Sequence, residues 1–99
     1  MDLRNHIKSG IVLGQTPFRL DYYILGDEAT GYGVEIVKTL STGRHESAAA
    51  KHLTGSLSEA TALAETLAQG RVTPISLGEI ITDLAAVKEP LSRKVILSI

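Results

Sequence analysis

The stretch FRLDYYILGDEATGYGVEIV, Phe18–Val37, decides the fold of this chain. Every second residue in its first half is apolar and would lie on one side of a strand: Phe18, Leu20, Tyr22 and Ile24. The second half resumes the alternation on one side with Tyr32, Val34 and Ile36. A polar, glycine-bounded segment, Gly26–Gly31, separates the two halves. The pattern therefore predicts an antiparallel β-hairpin with one strongly apolar face.

Two helices are predicted after the hairpin. Ser56 and Glu59 have capping-box spacing, in which the hydroxyl accepts from a free amide and the carboxylate reaches back to the helix start. Gly70 supplies a left-handed stop, and a second helix is expected over Pro74–Ala86, with proline at its first position. Each helix has an apolar stripe at helical spacing: Ala60, Leu63, Ala64, Leu67 and Ala68 in the first, and Leu77, Ile80, Ile81, Leu84 and Ala85 in the second.

The remaining segments complete the predicted domain. Residues 1–9 are expected to be a ragged lead-in, and residues 93–99 a final strand. Residues 46–53 are interpreted as a strand, although their alanines also permit a helix. The order strand, strand, strand, helix, helix, strand predicts a single α+β domain over residues 1–99. In it, an antiparallel sheet of three to five strands is covered on one face by the two consecutive helices.

Composition excludes several classes of function. The chain has 99 residues and a formal net charge of −1, which gives no electrostatic reason to expect nucleic acid or an anionic membrane as partner. It contains no cysteine, which excludes disulfides, thiolate catalysis and Cys-ligated metal. No apolar run approaches the ~20 residues that span a bilayer, and the start lacks the apolar run of a signal peptide. We therefore expect a cytoplasmic protein.

The chemical motifs of the chain have simpler structural explanations. The outward positions of the second helix include Glu79 and Asp83 and no cation, which disfavours a DNA-reading helix. His45 and His52 are seven residues apart, whereas a zinc helix needs histidines four apart. Tyr32 and Gly33 stand where a phosphate-binding loop would need Lys and Ser or Thr. We expect no enzyme, no cofactor and no metal site.

The face of the sheet opposite the helices is the predicted contact surface. Three apolar residues lie there beside charged neighbours: Tyr23, Leu25 and Val37. The end of the chain, VILSI, is apolar and adds Val95, Leu97 and Ile99 to the predicted partner-binding residues. Exposed features of this kind are normally paired or buried, which predicts self-association or β-addition of a partner strand. The alternative that VILSI is simply a central core strand stays open.

A second hypothesis is a regulatory module that binds a small ligand or nucleotide. Its site would consist of Tyr23, Arg44 and the loops at residues 26–33 and 41–45.

The motifs DYYIL, YGVEI and VTPISLGEIITDL occur in this order between Phe18 and Ala86. With them the chain resembles a family of short bacterial proteins of unknown function. The resemblance implies a small α+β domain and an extended strand leading into the first helix. It carries no assigned activity, so it implies no catalytic residue.

Overall fold

The structure, a computed structural model, describes residues 4–83. In chain order the elements are β1 Arg4–Val12, β2 Phe18–Asp27, β3 Gly31–Leu40, β4 His45–Thr54 and α1 Leu57–Gln69. A second helix, α2, covers residues 74–83. The strands form one antiparallel sheet in the order β1-β2-β3-β4. Within residues 4–83, no helix has the length and apolar character needed to cross a membrane.

The core lies between one face of the sheet and the two helices. The buried apolar residues are Leu20, Tyr22, Ile24, Val34, Ile36, Ala60, Ala64, Leu67 and Leu77. The sheet contributes the alternating face that the sequence predicts, and α1 contributes its predicted stripe. From α2 the core includes Leu77, Ile80 and Ile81, whereas the rest of the predicted stripe and helix, residues 84–86, lies outside the described residues. Small side chains at positions 60 and 64 let α1 approach the strands closely. The predicted α+β fold, with two helices on one face, is confirmed.

The prediction of a ragged lead-in over residues 1–9 is wrong from Arg4 onward, because β1 begins there and pairs along β2. Ile7 has no partner residue in this register, which makes a bulge. Seven of the nine residues of β1 are exposed, so no apolar alternation marks the strand in the sequence. The predicted strand over residues 46–53 is confirmed as β4. The predicted final strand, and with it Val95, Leu97 and Ile99, lies outside the described residues.

The start of α1 follows the predicted cap with one change. Ser56 Oγ accepts the backbone N–H of Glu59 at 3.2 Å, as the capping box requires. The Glu59 carboxylate does not reach the Ser56 amide directly. The hydroxyl of Thr54 donates to the Glu59 carboxylate and accepts the Ser56 N–H at 3.1 Å. It therefore links the Ser56 amide to the Glu59 carboxylate in place of the direct hydrogen bond of a capping box.

The end of α1 differs from the prediction by one residue. Gly70 has a φ of −83°, and the left-handed position falls on Arg71, with a φ of 52°. The Arg71 N–H donates to the Ala68 carbonyl, and the Val72 N–H donates to the Leu67 carbonyl, both at 3.0 Å. These two bonds form a Schellman motif, which requires its left-handed residue after Gly70 rather than at it.

The hydroxyl of Tyr22 ties β2 to the connection between the helices. It donates to the Val72 carbonyl at 2.9 Å, and the side chain is otherwise enclosed by the core. Burial raises the pKa of the phenol to about 12, because the phenolate would lose its hydration.

Tyr22 predicts a loss of stability in alkaline solution. The folded protein holds the phenolic proton more tightly than the unfolded chain does. The contribution of Tyr22 to the free energy of unfolding is therefore full below pH ~10 and declines as pH rises towards 12. Tyr22→Phe should cost about 1 kcal/mol at neutral pH through the lost hydrogen bond, and its stability should fall less steeply above pH ~10. Urea unfolding of both proteins across this pH range measures the difference. Parallel pH profiles would contradict the prediction.

Candidate functional site

The strand register places the predicted contact residues Tyr23 and Leu25 on the face away from the helices. They alternate with the buried residues of β2, so they point to the other side of the sheet. Tyr23 lies opposite His6 of β1 and Glu35 of β3, and Leu25 lies opposite Arg4. Both side chains are partly buried.

Val37 occupies the same face, one step further along the hairpin. It lies opposite Asp21 on β2 and Ser47 on β4, and it is partly buried. We call this side of the sheet the open face. Its central residues are Arg4, His6, Arg19, Asp21, Tyr23, Leu25, Glu35 and Val37.

A buried carboxylate organises one half of the open face. Asp21 is only 5% exposed. Its oxygen Oδ2 lies 3.0 Å from Arg19 Nε, and Oδ1 lies 3.2 Å from Arg19 Nη2, which is a two-point contact. His6 Nε2 makes the third contact of this carboxylate, a hydrogen bond with Oδ1 at 3.0 Å. These contacts replace the hydration that burial removes, and they fix the positions of both partners.

An arginine and an aromatic ring organise the other half. Arg4 Nη1 lies 3.0 Å from Glu35 Oε1, and its guanidinium carbon lies 4.0 Å from the centre of the Tyr23 ring. The His6 ring meets the same tyrosine edge to face, with 5.3 Å between ring centres. Tyr23 is therefore held between two side chains of β1, and the open face is ordered before any partner arrives.

The outer strands of the described sheet, β1 and β4, are both irregular. β1 has its bulge at Ile7. β4 has a second bulge opposite Gly33, and within it His52 adopts a φ of 56°. Bulges bend a strand and interrupt its ladder, and proteins use them to keep sheet edges from pairing with other chains.

The loop between β2 and β3 is ordered by its own contacts. The Thr30 N–H and hydroxyl both donate to Asp27 Oδ1 at 2.9 Å, and these bonds lower the pKa of the Asp27 carboxyl. The Thr30 carbonyl accepts from His52 Nδ1 at 2.8 Å. The polar groups of this loop thus stabilise the turn.

The alternative ligand site is not assembled by the fold. The loops at residues 26–33 and 41–45 lie at opposite ends of β3. A ten-residue strand is roughly 30 Å long, so one small ligand cannot contact both loops. Arg44 lies in the turn between β3 and β4. Tyr23 lies on β2 opposite Glu35, which is four residues before Thr39 near the end of β3. The fold therefore does not bring the two loops together, and binding of a small ligand or nucleotide stays a prediction.

Sequence reasoning missed the contribution of β1 to the open face. Arg4 and His6 fall in the segment that was expected to be ragged, yet they contact Glu35, Asp21 and Tyr23. Their spacing of two residues is a period-2 signal, but most of β1 is polar and exposed, so no apolar face marks the segment as a strand. Among residues 4–83, no three acidic or histidine side chains cluster closely enough to hold a metal ion.

Comparison with protein families gives one match. A family model described as a family of unknown function, DUF6514, matches residues 8–87 of the 99. The chain belongs to this DUF6514 family. The match extends from β1 through α2, so it includes most of the sheet and both helices. Neither the curated proteins nor the solved structures contain a match to the chain. Membership of DUF6514 confirms the resemblance to a family of unknown function, and it assigns no activity.

Proposed function

We propose that this member of DUF6514 is a small, non-catalytic regulatory or interaction protein that acts through protein–protein contacts. The open face is its contact surface, and a second copy of the chain is the partner. The observation that carries the proposal is the one-sided sheet, in which both helices pack on one face. The other face presents Tyr23, Leu25 and Val37 among ordered charges.

The charges of the open face favour a second copy over a strongly charged partner. Arg4 and Arg19 are matched by Glu35 and Asp21, so guanidinium groups and carboxylates are equal in number. A face with balanced charge can meet a copy of itself without net repulsion. Because these side chains are already fixed by their contacts, association costs less conformational entropy.

Packing of one face on another is favoured over β-addition of a partner strand. Strand addition needs a regular edge with free backbone groups. Both outer strands of the described sheet are bulged, at Ile7 and around His52, so neither offers a long regular edge. The open face lacks this obstacle.

The proposal extends to the setting in which the protein acts. The motifs YGVEI at Tyr32–Ile36 and VTPISL at Val72–Leu77 support a bacterial origin, and the cysteine-free chain suits the cytoplasm. The net charge of −1 supports a protein partner rather than nucleic acid or a membrane surface.

A pair of matched substitutions tests the open face. Val37→Lys places a charge at the centre of the open face, opposite Asp21 on β2. Ile75→Lys makes a similar change on α2, which packs on the other face of the sheet, and its side chain is 91% exposed. Size-exclusion chromatography with light scattering, over a range of concentrations, reports the mass of each protein. Circular dichroism checks that each variant remains folded.

We expect a dimer for the unmodified chain and for Ile75→Lys, and a monomer for Val37→Lys. A folded dimer of Val37→Lys would move the contact to another surface, such as a strand edge. A monomer of the unmodified chain at every concentration would refute self-association.

A further inference from the structure

A groove of about 210 Å³ lies between β1 and the C-terminal end of α1, on the helix side of the sheet. Its lining combines buried side chains of the core, Leu20 and Tyr22, with Ala68 of the helix. Two exposed cations, Lys8 and Arg71, also line it. The groove is separate from the open face, so an inference about it does not rest on the proposed function.

The bulge in β1 brings Lys8 to the groove. His6 lies opposite Tyr23 on the open face, and without an extra residue Lys8 would share that face. Ile7 has no partner in the register, so Lys8 instead lies opposite Tyr22. The bulge thus re-aims a cation to the helix side of the sheet, which is a common role of bulges beside binding sites.

A second backbone irregularity brings Arg71 to the same groove. Its φ of 52° is in the left-handed region, where glycine is the usual residue at a helix end. An arginine rather than a glycine occupies this position, and backbone strain of this kind is concentrated at functional sites. Among residues 4–83, neither Lys8 nor Arg71 pairs with an acidic side chain.

Three carbonyls at the end of α1 are not free to face an anion in the groove. The carbonyls of Thr66, Leu67 and Ala68 accept hydrogen bonds from the backbone N–H groups of the following turn. Because these carbonyls are occupied, the negative end of the helix is capped and Arg71 adds a positive charge beside it.

We infer that this groove binds a small phosphomonoester. Lys8 and Arg71 contact the phosphate, since two cations match a dianion and the guanidinium provides paired donors for its oxygens. The organic group lies against Val12 and Ala68. A cavity of roughly 150 Å³ holds benzene, so 210 Å³ accommodates a group of that size. Sites for larger ligands run to about 300–1,000 Å³, so the groove is too small to enclose a nucleotide.

Amide chemical-shift titration at constant ionic strength tests the inference with three probes: phenyl phosphate, inorganic phosphate and phenol. We expect saturable shifts at residues 8–12 and at Arg71, strongest with phenyl phosphate and weak with phenol. Lys8→Gln and Arg71→Gly should each weaken phenyl phosphate binding by about tenfold. Lys51→Gln, which removes an exposed cation outside the groove, should leave it unchanged.

The variants remain informative because neither endangers the fold. Lys8 is exposed, and glycine adopts the positive φ of position 71 without strain. Absence of saturable shifts with phenyl phosphate would overturn the inference. If Lys8→Gln and Arg71→Gly bind phenyl phosphate as tightly as the unmodified chain does, or if phenol binds as tightly as phenyl phosphate, the inference is overturned as well.

Discussion

Gly33→Ala is expected to lower the free energy of unfolding by about 3 kcal/mol, near the upper end of the cost of overpacking. The bulge in β4 lays the backbone of Ala50 and Lys51 directly over this glycine. An added Cβ would overlap the Ala50 carbonyl and would lie 2.7 Å from Lys51 Cα. Both obstacles are backbone, so one strand must move to relieve the overlap.

The stability of the domain makes this cost decisive. A domain of this size is stable by roughly 5–10 kcal/mol, so the substitution removes a large part of the total. Urea unfolding at equilibrium, followed by circular dichroism, measures the change. Gly10→Ala is the matched control, because an added Cβ in β1 meets nothing within 4 Å. The free energy of unfolding of Gly10→Ala should agree with that of the unmodified chain within about 0.5 kcal/mol. Equal stability of Gly33→Ala and Gly10→Ala would show that β4 does not cross Gly33 as described.

Ile36→Ala is expected to destabilise the protein by about 2–5 kcal/mol. Its side chain is 0% exposed and belongs to the cluster between the sheet and the helices. Truncation removes buried methyl groups and leaves a cavity, because strands and helices on all sides prevent collapse.

The adjacent residue provides the control for this substitution. Val37→Ala removes methyl groups from the open face, where the side chain is only partly buried. In a dilute sample, where any dimer has dissociated, its cost should stay near 1 kcal/mol. Urea unfolding of both variants at low concentration compares the two faces. Similar losses of stability in Ile36→Ala and Val37→Ala would mean that both faces of the sheet are covered, which contradicts an open face.

The hairpin shows how much the sequence could predict. The alternation of Phe18–Ile24 and of Tyr32–Ile36 lies in regular strands, so each apolar residue falls on the predicted face. The register is continuous from Phe18 to Asp27, and nothing interrupts the period of two. The helices were predictable for the same reason, since their stripes repeat without a break.

The errors fall where the backbone is irregular. β1 was missed because seven of its nine residues are exposed, so that no apolar alternation marks the strand, and because it contains the bulge at Ile7. The stop of α1 was misplaced by one residue because Arg71, rather than Gly70, adopts the left-handed conformation. A bulge or a left-handed arginine depends on tertiary contacts, so local sequence patterns do not reveal either.

The candidate site was predictable in part. Tyr23, Leu25 and Val37 were assigned to the correct face by their alternation with core residues. The contacts that order this face needed the structure, since Arg4 reaches Glu35 across β2, 31 residues further along the chain. Long-range pairs of this kind depend on the strand order, which the sequence does not specify.

The most direct test of the account is the concentration dependence of methyl signals in nuclear magnetic resonance spectra. If two copies associate through the open face, dilution should shift the methyl signals of Leu25 and Val37. The methyl signals of Leu67 and Leu77, which are buried between the helices and the sheet, should stay in place. Methyl signals of Leu25 and Val37 that do not move between dilute and concentrated samples would contradict the central claim.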